Sequence, residues 1–216
     1  MNYTQLYQAI QDYTENYEAT FVTNIPNFVQ QNEERIYRSV MIPELRKNVT
    51  GSLTANNKYL ARPSDFLSVF SLAVIDGDGD YNYLIDKDVN FIREAYPSAS
   101  TTALPKYYGQ FDGDSVTSLY GNLILGPTPD QSYAVELHYY YDPPSIVDTN
   151  TSWLGENAET VLLYGSLVEA YVFMKGDNDL MMAYKSQYDE ALQRLGVIDY
   201  RSKRDSYRDG EPRVDK

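Results

Sequence analysis

The chain of 216 residues has no cysteine, one histidine and one tryptophan, and its 7 phenylalanines are few beside 22 tyrosines. Without cysteine there is neither a disulfide framework nor a thiolate metal site, a composition that fits a reducing cytoplasm. The opening MNYTQLYQAIQDY lacks the basic stretch and apolar stretch of a secretory signal. No run reaches the roughly 18 to 20 apolar residues of a membrane span. A soluble, unexported protein is expected. Neither GxxxxGK(S/T) nor GxGxxG between a strand and a helix occurs, so nucleotide binding has no support. Internal repeats with periods of roughly 20 to 50 residues are also lacking.

What is present is an acidic chain rich in tyrosine. Apolar residues make up 43% and aromatics 14%, enough to fill the core of one sizeable domain or two small ones. Tyrosine joins an apolar ring to a polar tip, so its heavy use supplies either half-buried subunit surface or strand positions. A net charge of −13 and a pI near 4.4 argue against a general attraction to nucleic-acid phosphates or anionic membranes.

Candidate chemistry is sparse. His138 lies within the alternating strand Tyr133 to Tyr141 with no nominated partner for proton transfer, and reads as structural. Asp76-Gly77-Asp78-Gly79-Asp80 sets Asp at alternate positions like the start of a calcium loop. The twelfth residue from Asp76 is Lys87, however, where a bidentate Glu is needed, so the segment reads as a turn. Glu33-Glu34, Asp86-Asp88 and Asp189-Glu190 could serve acid–base or glycosidase chemistry, but an acidic chain supplies such pairs by chance. No catalytic, cofactor-binding or metal-binding residue is nominated, and no cofactor is expected.

Hydrophobic spacing organises the chain. Leu6, Ile10, Tyr13 and Tyr17 predict a helix over 4–18, with Thr4 as its cap. A second helix is expected over about 26–40, with Pro26 in its first turn, an apolar stripe of Phe28, Val29, Ile36, Tyr37 and Val40, and Pro43 as its stop. Glu33, Glu34, Arg35 and Arg38 would then pair on a solvated face. From about 57 to 142 the period is that of strands: Phe66 to Ile75, a hairpin turn at 76–80, Tyr81 to Ile85, Lys106 to Phe111, Val116 to Leu125 and Tyr133 to Tyr141. Pro143-Pro144 ends the strands. A helix over about 157–175, apolar nearly all round, belongs in a core or between subunits, and Leu163, Tyr164, Leu167 and Tyr171 are its candidate interface residues. Lys175-Gly176-Asp177 breaks it, and a last helix over about 178–195 should bury Met181, Met182, Tyr184, Tyr188, Ala191, Leu192 and Leu195.

The expected fold is therefore α+β: a four-helix bundle-like core, an inserted antiparallel β-sheet unit and an extended C-terminal tail. Residues 1–56 would form the first helical part, 57–145 the β insertion, 146–196 the second helical part and 197–216 the tail. In residues 201–216, six basic side chains face four acidic ones, so the tail carries about +2 and residues 1–200 about −15. Such a tail is either disordered or ordered by a partner.

Several phrases, taken in order, carry a family pattern: FVQQNEERIYR at Phe28–Arg38, LARPSDF at Leu60–Phe66, DVNFIREAY at Asp88–Tyr96, Pro127-Thr128-Pro129, YYYDPP at Tyr139–Pro144, and Trp153-Leu154 through Leu163–Ala170. Over roughly residues 1–196 the chain resembles the head-to-tail adaptor, or neck, proteins of tailed bacteriophages, particularly those of marine and cyanobacterial hosts. The resemblance implies a non-catalytic homo-oligomeric ring, twelve-fold, seated between the portal protein and the tail tube or nozzle protein. Genomic double-stranded DNA would pass through its lumen without specific contact or any membrane. It also implies a place at the portal vertex of the virion after assembly in the host cytoplasm, and a terminal extension that grips the portal. The candidate portal-binding residues are Tyr200, Arg201, Lys203, Arg204, Tyr207 and Arg208. Rival readings are another neck, tail-completion or minor virion protein, a carboxylate-based tail-associated hydrolase, and a small DNA-binding regulator. The last lacks a helix with a basic face.

Overall fold

The computed structural model describes residues 1–111 and 121–204, with side chains through Gly196. In chain order they form helices α1 (Tyr3–Thr14) and α2 (Ala19–Ser39), strands β1 (Arg46–Ser52), β2 (Tyr59–Ala61), β3 (Phe66–Ile75), β4 (Tyr81–Tyr83) and β5 (Ile85–Asp86), and helix α3 (Val89–Ala95). Strands β6 (Tyr107–Phe111), β7 (Asn122–Gly126) and β8 (Ala134–Tyr141) follow. The chain then returns to helix in α4 (Ile146–Thr149), α5 (Trp153–Asn157), α6 (Glu159–Met174) and α7 (Asn178–Arg204). The fold is α+β and divides into a helical unit, Met1–Glu44 with the chain from Pro143 onward, and a sheet unit, Leu45–Asp142.

In the helical unit α6 is the central element. Its apolar residues go all the way round because α1, α2, α5 and α7 each pack against it. Asn2, rather than Thr4, caps α1, through a capping box in which Asn2 and Gln5 satisfy each other's backbone N–H. That helix stops at Thr14, leaving Tyr17 outside it. The second helix begins at Ala19, seven residues before Pro26, so Pro26 is internal instead of in the first turn. Proline lacks one N–H there, and burial of Phe21 and Ile25 on the preceding turns outweighs the missing bond.

The break between α6 and α7 lies where Lys175-Gly176-Asp177 predicts it. Lys175 adopts a left-handed φ of 53°, the Gly176 N–H donates to Tyr171 O, and Asp177 Oδ1 accepts from the N–H groups of Asp179 and Leu180 to open α7. This last helix continues nine residues past the expected end at 195. Met182 faces outward, contrary to expectation, while Tyr188 and Leu195 are buried.

The sheet unit holds two four-stranded sheets, not one. The first runs β1-β8-β3-β4 and is antiparallel throughout. The second runs β2-β7-β6-β5, with β5 and β6 parallel. They share one apolar core: Leu72, Val74, Val135, Leu137 and Tyr139 come from the first sheet, and Tyr108, Leu123 and Leu125 from the second. The chain changes sheet at Leu84, whose N–H bonds Leu72 O, while that of Ile85 bonds Lys106 O. Strand β1 falls within residues 1–56, expected to form the first helical part, and the sheet unit starts at Leu45 instead of near 57. Helix α3 was not expected at all; Asp88 Oδ1 caps it through the Asn90 N–H at 2.7 Å, and Ile92 anchors it in the core. Of the strand expected at Val116 to Leu125, residues 116–120 lie outside the described residues, and Asn122–Gly126 forms β7.

Candidate functional site

Most of the chemically able groups serve structure. Glu33 is only 3% exposed, and its carboxylate accepts hydrogen bonds from Ser145 Oγ at 2.5 Å and from the Ile146 N–H at 3.1 Å. Glu34 pairs with Arg38 at 2.6 Å along α2, and Glu190 with Arg194 at 2.5 Å along α7. Arg35 pairs with Glu169 between α2 and α6. The Asp76 carboxylate turns inward, accepting from the Asp78 and Asp80 N–H groups and from Asn82 Nδ2. The Asn82 amide and the turn's N–H groups hold its pKa below the usual carboxylate range. This is a closed turn in which both Asp76 carboxylate oxygens already accept hydrogen bonds. Among the described residues no group of three or more His, Asp or Glu is arranged to hold a metal ion.

His138 sits on β8 opposite Ser71 and Asn48, edge-on to Phe70 at 5.0 Å. Partial burial, and then the Arg46 charge, push its pKa down, which favours the neutral imidazole. Asp65 lies at the end of the same sheet, where Lys47 Nζ donates to it at 2.6 Å and the Tyr139 hydroxyl at 2.9 Å. Its partial burial opposes ionisation, but those two hydrogen bonds and the lysine charge together hold its pKa below normal. Burial and the Asp65 carboxylate push the Tyr139 hydroxyl up to about 12, so it remains a donor. A depressed carboxylate pKa stabilises the fold above the unfolded value of about 3.9 and loses that effect as pH falls through the folded value. Tyr139→Phe is therefore expected to lower stability by about 1 kcal/mol at pH 7. The deficit should shrink as the pH approaches 3. Paired urea melts at the two pH values check this, and a deficit that grew on acidification would contradict it.

The candidate interface residues on α6 divide by burial. Leu167 is fully buried and Tyr171 is 9% exposed, so both belong to the core of their own chain. Leu163 and Tyr164 are half-buried, and Tyr164 stacks on Tyr184 with ring centroids 6.0 Å apart. The all-round apolar pattern that nominated them is answered by α1, α2, α5 and α7 within the chain. Open apolar surface lies elsewhere. Among the described residues of the helical unit it comprises Tyr13, Tyr17, Val172, Phe173, Leu180 and Met182. In the sheet unit Tyr81 is 50%, Tyr83 67% and Ile85 56% exposed, at alternate positions along β4 and β5. Surfaces of this kind suit protein partners.

A family model described as SU10 adaptor protein matches residues 1–213. The chain belongs to the SU10 adaptor family. It is thus a phage head-to-tail adaptor, a structural protein of the virion that works through contacts with other phage head and tail proteins. Comparison with curated proteins gave no match. For this adaptor the family match extends past residue 196, where the resemblance in the sequence motifs stops, and takes in most of the basic tail. Of the candidate portal-binding residues, Tyr200, Arg201, Lys203 and Arg204 fall on the final turns of α7, with side chains outside the described residues. Tyr207 and Arg208 lie outside the described residues altogether. No described helix is long and apolar enough to cross a membrane.

Proposed function

We propose that the adaptor forms a twelve-fold ring between the portal and the tail tube or nozzle, through which genomic double-stranded DNA passes during ejection, and that it carries no catalysis. The observation behind this reading is the family match over residues 1–213. Several features agree with it. Of the carboxylates able to do acid–base work, Glu33, Glu34, Asp88 and Glu190 are committed to caps and ion pairs. A net charge of −13 would let a DNA duplex slide past the wall of a lumen instead of adhering to it. The tail that follows Gly196 carries the chain's densest basic stretch, suited to carboxylates on a portal, with Tyr200 and Tyr207 as aromatic anchors.

Mass measurement of the purified adaptor, alone and with purified portal, tests both the ring and the tail. The full chain is expected to join the portal as twelve copies. A chain ending at residue 198 should fold, since it keeps α1 to α6 and most of α7, yet attach at least tenfold more weakly. Unchanged attachment would sink the role of the tail, and failure of the full chain to assemble with the portal would sink the ring.

A further inference from the structure

Among the described residues of the sheet unit, the exposed large apolar side chains are Val49, Tyr59, Tyr81, Tyr83, Ile85 and Phe91. All but Phe91 stand on the four edge strands, β1 and β4 of the first sheet and β2 and β5 of the second; Leu84 alone joins β4 to β5 and residues 53–58 join β1 to β2, short links that set β1 with β2 on one side and β4 with β5 on the other. Neither β1 nor β4 has a described strand on its outer side, so each presents a row of backbone groups able to pair with another chain. We infer that these two sides are the two halves of one subunit contact, with β4 and β5 of one copy set against β1 and β2 of the next, and with β4 continuing onto β1 as an intermolecular antiparallel pair. The inference rests on the ring reading and says where the ring closes.

Strand direction permits it. Each neighbouring pair in the sheet β1-β8-β3-β4 is antiparallel, so β1 runs with β3 and β4 runs against both. A second copy placed beside β4 in the same orientation offers its β1 antiparallel, and the sheet continues without reversal. Facing also agrees. Thr50, Glu136, Ala73 and Tyr83 form one row across the four strands, and Ser52, Ala134, Ile75 and Tyr81 form the next. Tyr81 and Tyr83 would therefore lie on the same face as Asn48, Thr50 and Ser52 of the neighbour, and aromatic rings beside a β-branched threonine are favourable cross-strand neighbours.

Charge agrees as well. Residues 46–52 contain Arg46 and Lys47, the latter also paired with Asp65 of its own chain, and no carboxylate, whereas the segment that leaves β4 carries Asp86 and Asp88 with one lysine between them. Antiparallel pairing brings the end of β4 that leads to Asp86 and Asp88 beside the end of β1 that carries Arg46 and Lys47. Two different surfaces joined head to tail make a heterologous contact, and repetition of such a contact closes a ring when the rotation permits.

The absence of cysteine gives a clean test. Tyr83→Cys is combined in turn with Asn48→Cys, Thr50→Cys and Ser52→Cys, which cover registers two residues apart on one face. Each double variant is assembled, alone or on the portal, and mildly oxidised. A ladder of covalent multimers is expected from one combination and none from the single variants. A ring of full mass that yields no ladder from any combination would overturn the inference and leave the ring reading standing. Absence of any ring would overturn both. As a second measurement, Tyr81→Ser with Tyr83→Ser should weaken subunit association at least tenfold while the monomer melts within a few degrees of the parent; undiminished association would count against the edge contact.

Discussion

Replacing Glu33 by alanine is expected to destabilise the helical unit by about 3 kcal/mol, because buried donors left without an acceptor cost roughly 1–3 kcal/mol each. Glu33 projects from α2 with 3% of its surface exposed, and its two oxygens accept from Ser145 Oγ and the Ile146 N–H. Ser145 in turn caps α4 by accepting from the Val147 N–H at 3.1 Å. The carboxylate thus holds the chain where it re-enters the helical unit after Pro143-Pro144. In a protein of this size about 3 kcal/mol corresponds to a fall in melting temperature of roughly 6–12 °C. Glu33→Gln keeps one acceptor oxygen and the shape of the side chain, and the Ser145 hydroxyl can rotate to accept from the new amide. Its cost should be nearer 1 kcal/mol. Thermal melts followed by circular dichroism separate the two variants; equal losses would show that Glu33 acts only by filling space.

Glu33 also marks what periodicity can and cannot disclose. Within α2 it looked like one of four charges on a solvated face, since its partner lies 112 positions later. Strand β8 was legible because one face of the strand is packed in the core, so Val135, Leu137 and Tyr139 alternate with the less buried Ala134, Glu136 and His138. The internal turn at Lys175-Gly176-Asp177 was legible because left-handed backbone and a capping aspartate are local requirements. The division into two sheets was not, because the crossing at Leu84 depends on Leu72 and Lys106, both distant in sequence. Local signals can also be passed over: Asp88 followed by Val89 and Ile92 is a capped apolar turn, yet it sat inside a region whose overall period was that of strands.

The exposed edge proposed for assembly was illegible for a related reason. Tyr81 and Tyr83 alternate just as Leu137 and Tyr139 do within β8, but the first pair stands on an edge and the second faces the shared core. Residue type and spacing do not distinguish an edge strand from a central one. The same ambiguity drew attention to Leu167 and Tyr171, whose apolar surroundings are supplied by the adaptor's own helices.

Gly165→Ala should reveal how closely two of those helices approach. A Cβ at Gly165 would lie 2.0 Å from Asn32 Oδ1 and 2.4 Å from its Cγ, inside any permitted contact. Asn32 is fully buried on α2 and donates from Nδ2 to Leu162 O at 2.9 Å and Val161 O at 3.3 Å. The added methyl must therefore push α2 away from α6 or expel the amide from its bonds. Overpacking of this kind costs about 1–3 kcal/mol, partly offset by the gain of about 1 kcal/mol when alanine replaces glycine inside a helix. Loss of the buried amide's bonds adds about 1–3 kcal/mol, for a net loss of about 1–5 kcal/mol. Asn32→Ala alone should also destabilise, by removing those bonds and leaving a small void. In the double variant the obstructing amide is gone and the new methyl occupies part of its space. The two changes are therefore expected to be less than additive, with a coupling of at least about 1 kcal/mol. Denaturant melts of the four chains in this cycle measure that coupling. Simple additivity would mean that α2 and α6 separate freely, and that the glycine is not what brings them together.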